Sequence, residues 1–319
     1  MPNLYNVLNI VESIHLCHLS QDMLFNRFFF LFIAATGLCL SGCSHFLYYP
    51  SRRLYITPSH LSFIPVEIVY TSSDGKPFVI WYFDSKSKRI DRPMILFFHG
   101  NAENMSSHYS SAYWLLEKGY DFAIFDYPGY GPSPGSPNPE NTVRSGVSFL
   151  EWAIKMFPNR KFVVWGQSLG GAIALRSVIE LSSLKPKSEV ILGIVAESTF
   201  SSYRSVGADI LSRSFWTWLL QPLSYVVLSD KFAPRGRISE ISPIPLLVVH
   251  GKRDPMIDLN EGEMIFEEAK EPKYLLTVED GHHTDAFVGK SREENRNLFT
   301  QLLENKFSFS SITTSEQPF

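Results

Sequence analysis

The sequence predicts an α/β fold in which a mostly parallel central sheet is covered by helices on both faces. Short apolar runs alternate along the chain with longer stretches of helical character. The apolar runs are continuous, as is typical of strands in a parallel sheet that is buried on both faces. The chain has 319 residues, of which 45% are hydrophobic, so it can bury a large core. The alternating region spans about 240 residues, which fits a single α/β domain.

The first predicted element of this domain is an antiparallel hairpin at the sheet edge. Its strands are Val66–Thr71 and Pro77–Phe83, joined through the turn residues Ser73, Asp74 and Gly75. A helix near Pro139 begins with proline and glutamate in its first turn, as helix N-termini prefer. The remaining predicted strands are 94–98, 120–125, 162–165, 190–196, 244–249 and 274–278, and the predicted helices are 106–118, 140–156 and 172–182.

The most informative motif is Gly-Gln-Ser-Leu-Gly at 166–170, between a predicted strand and a helix of small residues. In such a nucleophile elbow, the sharp turn holds the serine in a strained conformation and exposes its hydroxyl, while the flanking glycines let strand and helix pass closely. A bare G-x-S-x-G also arises by chance as a simple turn. Ser168 is therefore the candidate nucleophile only if the chain supplies partners for it.

Candidate partners for Ser168 follow later in the chain. A serine hydroxyl needs an imidazole that accepts its proton and a carboxylate that orients the imidazole. Asp254 lies in the loop after the strand predicted at 244–249, and Asp258 lies four residues further on. His282 and His283 both lie in the turn after the strand predicted at 274–278. One of these two histidines is the expected base.

The order nucleophile, acid, histidine resembles the α/β-hydrolase superfamily over residues 66–306. The similarity is greatest to a subgroup that includes serine-aminopeptidase-like and monoglyceride-lipase-like hydrolases and protein depalmitoylases. It rests on His-Gly-Asn at 99–101, Asp-Tyr-Pro-Gly-Tyr-Gly at 126–131 and Glu-Ser-Thr-Phe at 197–200, besides the elbow and the histidine turn. The resemblance implies a serine hydrolase without a cofactor.

The resemblance also implies which residues act. In the subgroup, the histidine is followed by a small polar residue and then Asp, which favours His283 over His282. The pattern His-Gly-x-x-Asp favours Asp254 over Asp258, which is then expected on the approach to the next helix. The catalytic residues implied are thus Ser168, Asp254 and His283.

The loop after the strand predicted at 94–98 is expected to help form the oxyanion hole. By position, the backbone N–H groups of Leu169 and Asn101 are the expected oxyanion hole. His99 and Gly100 are expected to shape this loop, with His99 as a second base the less favoured alternative. Two residues depart from the subgroup, since Glu103 stands where Gly is frequent and Pro128 where Arg is frequent. The Glu103 carboxylate would disfavour anionic substrates.

Residues 200–243 form an insertion at the place where such hydrolases carry a lid. We expect its apolar side chains to pack a small helical cap onto the sheet. The alternative is that part of this face lines an acyl pocket or touches lipid. Both interpretations favour an apolar substrate over a sugar or a phosphate. The side chains in question are Phe215, Trp216, Trp218, Leu219, Leu220, Tyr225, Val226, Val227 and Leu228.

The N-terminal region resembles a bacterial lipoprotein signal peptide. An apolar run at 28–40 follows Arg27 and leads into Leu-Ser-Gly-Cys, which has the form of a lipobox ending at Cys43. The resemblance implies lipidation of Cys43, and Ser44 resembles sorting to the outer membrane. We therefore expect a lipoprotein anchored in the bacterial cell envelope, on the periplasmic side of the outer membrane. An uncleaved anchor helix is the alternative, because no charged residue follows until Arg52.

The boundaries of the other segments follow from this interpretation. Residues 1–43 are the predicted leader. With residues 1–22 included this leader is unusually long, and those 22 residues contain no Lys or Arg. We therefore expect Met23 as the true start, with 1–22 untranslated or disordered. Residues 44–65 are a predicted tether, 66–306 the catalytic domain and 307–319 a loose tail. All three cysteines lie at or before residue 43, so the mature chain would hold no disulfide.

Composition excludes several other classes of function. The net charge is −3 and the basic clusters are short, which argues against nucleic-acid binding. There is no His-Glu-x-x-His, no Cys-x-x-Cys and no glycine-rich phosphate loop, so neither a metal nor a nucleotide cofactor is expected. We expect a monomer.

These inferences together predict a membrane-tethered serine hydrolase that cleaves carboxylic esters or thioesters of apolar acyl chains. Its partners would be a small-molecule or lipid acyl ester and the membrane that holds its lipid anchor. An aminopeptidase-like amide hydrolase is one alternative. The other is a non-catalytic, anchored binding protein that keeps the scaffold.

Overall fold

A central sheet dominates the part of the chain that the computed structural model describes, which is residues 47–311 without 73, 88, 90 and 182–185. The leader, Cys43 and the far end of the tail lie outside the described residues. Within them the strands are β1 (Tyr49–Pro50), β2 (Val66–Thr71), β3 (Pro77–Phe83), β4 (Met94–Phe98), β5 (Ala102–Glu103), β6 (Phe122–Phe125), β7 (Phe162–Gln167), β8 (Ile191–Glu197), β9 (Leu246–Gly251) and β10 (Lys273–Val278).

Eight of these strands form one sheet in the order β10-β9-β8-β7-β4-β6-β3-β2. β3 pairs antiparallel with β2 and with β6, and all other neighbours in the sheet are parallel. The mostly parallel α/β fold predicted from the sequence is thereby confirmed. β1 and β5 form a separate parallel pair.

Helices cover both faces of the sheet. The described helices are α1 (Met105–His108), α2 (Ser110–Glu117), α3 (Pro139–Met156), α4 (Leu169–Glu180), α5 (Tyr203–Ser212), α6 (Gln221–Val227), α7 (Leu259–Glu268) and α8 (Arg292–Glu304). Because successive strand side chains point to opposite faces, Phe162 and Val164 of β7 join one core cluster, and Val163 and Trp165 join the other. α3, α4 and α7 pack on the first face, and α2 and α8 on the second.

The insertion at 200–243 is helical, with α5, α6 and two short 3-10 helices. The expectation that its apolar side chains pack onto the core is wrong for most of them. Phe215 and Trp216 are 85% and 86% exposed, and most of their apolar neighbours up to Val226 are also exposed. Phe215 and Trp216 lie in the connection between α5 and α6, and these two helices meet through small residues. A Cβ on Gly207 would overlap Leu228, and Ser224 Oγ donates to the carbonyl oxygen of Arg204.

The carboxyl ends of the parallel strands all lie at one edge of the sheet, where ligand sites of such folds form. There the first turn of α4 touches the end of β4 directly. A Cβ on Gly170 would overlap the carbonyl oxygens of Phe98 and His99, and one on Gly166 would lie 2.5 Å from the Gly170 carbonyl oxygen. Glycine at 170 lets the first turn of α4 approach the end of β4, and glycine at 166 lets that same turn lie against β7.

We therefore expect Gly170→Ala to cost more than about 3 kcal/mol of unfolding free energy or to prevent folding, because the added methyl meets backbone atoms that cannot rotate away. Gly75→Ala is the control, because a Cβ at Gly75 has nothing within 4 Å and only its φ of +77° is unfavourable. It should cost about 1 kcal/mol. Urea unfolding followed by circular dichroism measures both. Equal costs would contradict this account of the elbow.

Candidate active site

Ser168 lies at the turn between β7 and α4. Its φ is +54° and its ψ is −126°, a strained conformation for a residue with a side chain. The surrounding backbone holds it there. Ser168 N donates to the carbonyl oxygen of Glu197 at 2.9 Å, and the Ser168 carbonyl oxygen accepts a hydrogen bond from Thr199 Oγ1 at 2.6 Å. The strained turn expected of a nucleophile elbow is present at the expected residue.

His283 lies beside Ser168, in the turn after β10. Its Nε2 is 3.0 Å from Ser168 Oγ, and its Nδ1 is 2.8 Å from Asp254 Oδ2. The structure thus brings the three side chains that the sequence singled out into one hydrogen-bonded line. His282 is elsewhere, with a side chain 61% exposed and its Nδ1 3.7 Å from Asp285 Oδ2.

Asp254 is fixed by its own loop. Its side chain is fully buried, and its Oδ1 accepts hydrogen bonds from the amides of Met256 at 2.8 Å and Ile257 at 3.0 Å. Burial alone would raise the pKa of Asp254, but the hydrogen bond from His283 and these two amides bring that pKa below its usual value. Asp254 is therefore a carboxylate at neutral pH. Asp258 instead caps α7, accepting a hydrogen bond from Asn260 N at 2.9 Å.

The two amides predicted for the oxyanion hole belong to different elements near Ser168. Leu169 is the first residue of α4, so its N–H has no acceptor within the helix and lies at the positive end of the helix dipole. Asn101 lies in the loop after β4. This loop is close to the elbow, because a Cβ on Gly100 would lie 3.8 Å from Ser168 Cβ.

Two tyrosines that sequence reasoning left without a role hold the loop after β4. Tyr127 Oη donates to the carbonyl oxygen of His99 at 2.8 Å, and Tyr130 Oη donates to that of Asn101 at 2.7 Å. Burial raises the pKa of both hydroxyls, so they remain donors at all ordinary pH values. Both belong to the Asp-Tyr-Pro-Gly-Tyr-Gly motif, so the sequence indicated that the segment matters. It did not indicate which groups the two tyrosines contact.

Two histidines complete the support of this loop. His108 Nε2 lies 3.0 Å from the Ala102 carbonyl oxygen, and burial lowers the pKa of His108 to about 4. It is therefore neutral at pH 7 and must carry its proton on Nε2 to donate. His99 is fully buried, and its Nδ1 lies 2.8 Å from the Gly100 carbonyl oxygen. Its Nε2 is 3.4 Å from Asp126 Oδ1.

A buried carboxyl group lies directly beneath the elbow. Glu197, at the end of β8, is fully buried, and its Oε2 accepts hydrogen bonds from Trp165 Nε1 at 2.9 Å and Gln167 Nε2 at 2.8 Å. Burial raises the pKa of Glu197 to about 7, although these hydrogen bonds and the nearby His283 oppose the rise. The sequence showed Glu197 within a family motif but indicated no role for it.

Within the described part of the chain, no group of three or more His, Cys, Asp or Glu side chains is placed to hold a metal ion. No helix in the same residues is long and apolar enough to cross a membrane.

The fold and this site define a class of enzyme, the α/β hydrolases. A family model described as alpha/beta hydrolase fold matches residues 93–202. The uncharacterized protein YfhR of Escherichia coli K12 is 32% identical over 282 residues, covering 86% of this chain and 93% of YfhR. The chain therefore belongs to the α/β hydrolase family.

More distant matches have described activities. The lysophosphatidylserine lipase ABHD12 of Rattus norvegicus is 27% identical over 196 residues, which are 59% of this chain and 47% of the lipase. An esterase of Pyrococcus furiosus has a similar structure, with a TM-score of 0.61 and 19% identity over 82% of this chain and 98% of the esterase. An acylaminoacyl peptidase of Pyrococcus horikoshii has a TM-score of 0.59 and 18% identity, covering 81% of this chain and 43% of the peptidase. At these identities, the two structures show the fold alone.

The raised pKa of Glu197 predicts a pH-dependent stability. A carboxyl group whose pKa rises from about 4.5 in the unfolded chain to about 7 in the folded one costs no stability below pH 4.5, and its cost grows as the pH rises to 7. The full cost is on the order of 3 kcal/mol. Glu197→Gln keeps an oxygen that accepts both hydrogen bonds but cannot ionise.

We therefore expect Glu197→Gln to gain stability relative to the parent as the pH is raised from 4.5 to 8, as measured by urea unfolding at both values. Glu103→Gln, on a partly exposed side chain of the neighbouring loop, serves as the control and should show no comparable change. A stability difference between Glu197→Gln and the parent that does not vary with pH would contradict the prediction.

Proposed function

We propose that this α/β hydrolase is a serine hydrolase that cleaves carboxylic esters or thioesters of apolar acyl chains, tethered to a membrane. The observation that carries the proposal is the line Ser168 Oγ, His283 Nε2, His283 Nδ1 and Asp254 Oδ2, with successive hydrogen bonds of 3.0 and 2.8 Å. This is the geometry that general-base activation of a serine requires.

In the proposed reaction, Ser168 Oγ attacks the acyl carbonyl carbon while His283 Nε2 accepts the hydroxyl proton. The negative charge that develops on the carbonyl oxygen is held by the N–H groups of Leu169 and Asn101. As the tetrahedral intermediate collapses, His283 returns the proton to the leaving alcohol or thiol. A water molecule then attacks the acyl-enzyme and loses a proton to His283, and as the bond to Ser168 Oγ breaks, His283 returns this proton to Ser168 Oγ and the acid leaves. Asp254 keeps the Nδ1 proton in place and stabilises the imidazolium.

An apolar surface beside the site supports a lipid-like substrate. Residues 214–229 contain no Asp, Glu, Lys, Arg or His, although much of this stretch is exposed. Arg213, just before it, joins this stretch to the site. Its guanidinium donates to the carbonyl oxygens of Pro255 at 2.6 Å and Met256 at 2.5 Å, in the loop that fixes Asp254. The lipase activity of the ABHD12 relative agrees with a substrate of this kind.

The same surface supports a membrane location. We propose that a lipid bilayer covers the exposed side chains of 215–226, because Trp and Tyr together with aliphatic side chains are characteristic of segments at the membrane interface. The chain outside the structure is consistent with this occupant. The apolar run at 28–40 and Cys43 precede Tyr48, whose hydroxyl lies 3.4 Å from that of Tyr203, at the start of the insertion.

The proposed triad predicts the outcome of covalent labelling. The full chain in detergent should react with a fluorophosphonate probe, and Ser168→Ala and His283→Ala should each abolish labelling. Both should also reduce ester turnover on the order of 1,000-fold or more, because the members of a triad act as a unit. His282→Ala is the matched control and should label normally, since that side chain is exposed and does not contact Ser168.

Labelling that persists in Ser168→Ala would contradict the assignment of the nucleophile. An absence of labelling and turnover in the folded parent would instead favour the non-catalytic binding protein. If the parent cleaves aminoacyl amides faster than matched acyl esters, the aminopeptidase-like alternative replaces the esterase. Because an acylaminoacyl peptidase shares this fold, the comparison of amides with esters is informative.

Tryptophan fluorescence can test the membrane surface directly. Four of the six tryptophans are buried, and the exposed two, Trp216 and Trp218, both lie on the proposed surface. With the full chain in phosphatidylcholine vesicles, brominated acyl chains should quench part of the fluorescence. That quenched part should be missing from the variant carrying Trp216→Phe and Trp218→Phe. No quenching by brominated lipid would contradict bilayer contact. If, without lipid, iodide quenches the tryptophan fluorescence less as the protein concentration rises, a second copy of the chain covers this surface instead.

A further inference from the structure

Residues 48–55 form a segment, here called the strap, that runs along the loop carrying Asn101. Its β1 pairs in parallel with β5, which follows Asn101 directly. The amide of Tyr49 donates to the carbonyl oxygen of Asn101 at 2.8 Å, and the amide of Ser51 donates to that of Glu103 at 3.0 Å. The strap therefore holds the peptide groups at both ends of β5.

Asn104 ties the strap to the helix after the loop. Its Nδ2 donates to the carbonyl oxygens of Ser51 and Arg53, each at 2.8 Å, while its Oδ1 caps α1 by accepting from Ser106 N at 2.9 Å. The residue is only 2% exposed. A buried amide with its oxygen and nitrogen both paired fixes the relative position of the two segments, because breaking either pair leaves an unsatisfied polar group.

The loop needs such support because part of it is strained. Glu103 has a φ of +60°, in the left-handed region that costs a residue with a side chain roughly 1–3 kcal/mol and that persists only when its surroundings hold it. In this chain, the hydrogen bond from Ser51 to the Glu103 carbonyl oxygen helps to hold the conformation.

The strap is itself anchored at points away from the loop. The Tyr48 side chain is buried, and its hydroxyl lies 3.4 Å from both Thr142 Oγ1 and Tyr203 Oη. The amide of Gly131 donates to the carbonyl oxygen of Ser51 at 2.9 Å. The loop after β4 is thus held against a segment whose position is set by α3, α5 and the loop after β6.

These contacts bear on the direction of one N–H group. The N–H of Asn101 shares a peptide plane with the carbonyl of Gly100, which lies 2.8 Å from His99 Nδ1. Gly100 and the strained Glu103 would otherwise let this loop adopt other conformations. The Asn101 carbonyl oxygen, in the following peptide group, accepts hydrogen bonds from the Tyr49 amide and Tyr130 Oη. Because this carbonyl is fixed, the Gly100–Asn101 peptide plane has little freedom to rotate.

We propose that the strap is a positioning element of the oxyanion hole, which aims the Asn101 amide at the developing negative charge. This inference rests on the function proposed above. It assigns a positioning role to the main-chain amides of Tyr49 and Ser51, which act through the loop after β4, and none to their side chains.

A pair of matched substitutions tests it in the full chain. Tyr49→Pro removes the amide that donates to Asn101, whereas Tyr49→Ala keeps it, and the Tyr49 side chain is 58% exposed. Ser51→Pro and Ser51→Ala form a second pair, should Tyr49→Pro fail to fold. We expect each proline variant to lower kcat for an acyl ester about 10- to 100-fold with KM changed less than about 3-fold. Each alanine variant should stay within about 2-fold of the parent.

A boronic acid inhibitor supplies the readout that a purely structural role would not move. Its adduct on Ser168 places a negatively charged oxygen in the oxyanion hole, so its affinity should fall by the same factor as kcat. Proline and alanine variants with equal kcat and equal inhibitor affinity would overturn the role of the strap while leaving the serine hydrolase intact. A loss confined to the melting temperature would overturn it too. A parent without turnover or labelling would remove the proposed function and this inference together.

Discussion

The close contact between the first turn of α4 and the end of β4 is the constraint on which the rest of the site depends. It exists because Gly170 has no side chain, so the carbonyl oxygens of Phe98 and His99 can lie where its Cβ would otherwise be, and because Gly166 lets the backbone of Gly170 and Gly171 lie close to β7. The contact brings the strained turn at Ser168 beside the loop of Gly100 and Asn101. The proposed nucleophile at the end of β7 and the proposed amide donor after the neighbouring β4 can then reach the same carbonyl group.

The buried polar groups around this contact have different hydrogen-bond partners, and these partners help to determine which groups stay charged. Asp254 accepts two amides and an imidazole, which keep it ionised despite burial. Glu197 accepts one indole and one amide N–H but lies deeper, so burial raises its pKa to about 7. Tyr127 and Tyr130 keep their protons and act only as donors. Charge is thus retained where an imidazole must be oriented, and neutral donors hold the backbone.

The insertion differs from the rest of the domain because it exposes large apolar side chains. In a soluble domain, large apolar side chains exposed side by side are unusual, and here they follow Arg213, which is bonded to the loop of Asp254. The strap reaches the first turn of the insertion through Tyr48 and Tyr203. The surface proposed to meet lipid and the loop proposed to hold the oxyanion are therefore both joined to rigid parts of the site.

The sequence by itself determined the fold and the candidate nucleophile through local rules, and it narrowed the acid and the base to two candidates each, between which the family resemblance chose. Continuous apolar runs between helices define the parallel sheet, and a nucleophile elbow, a loop carboxylate and a turn histidine follow its strand ends in order. Tertiary structure alone decided the support of the site. Tyr49, Asn104 and Glu197 act through contacts between residues far apart in the chain, which no periodicity encodes. The exposure of Phe215 and Trp216 was also mistaken from sequence, since composition records how apolar a segment is but not which face another helix covers.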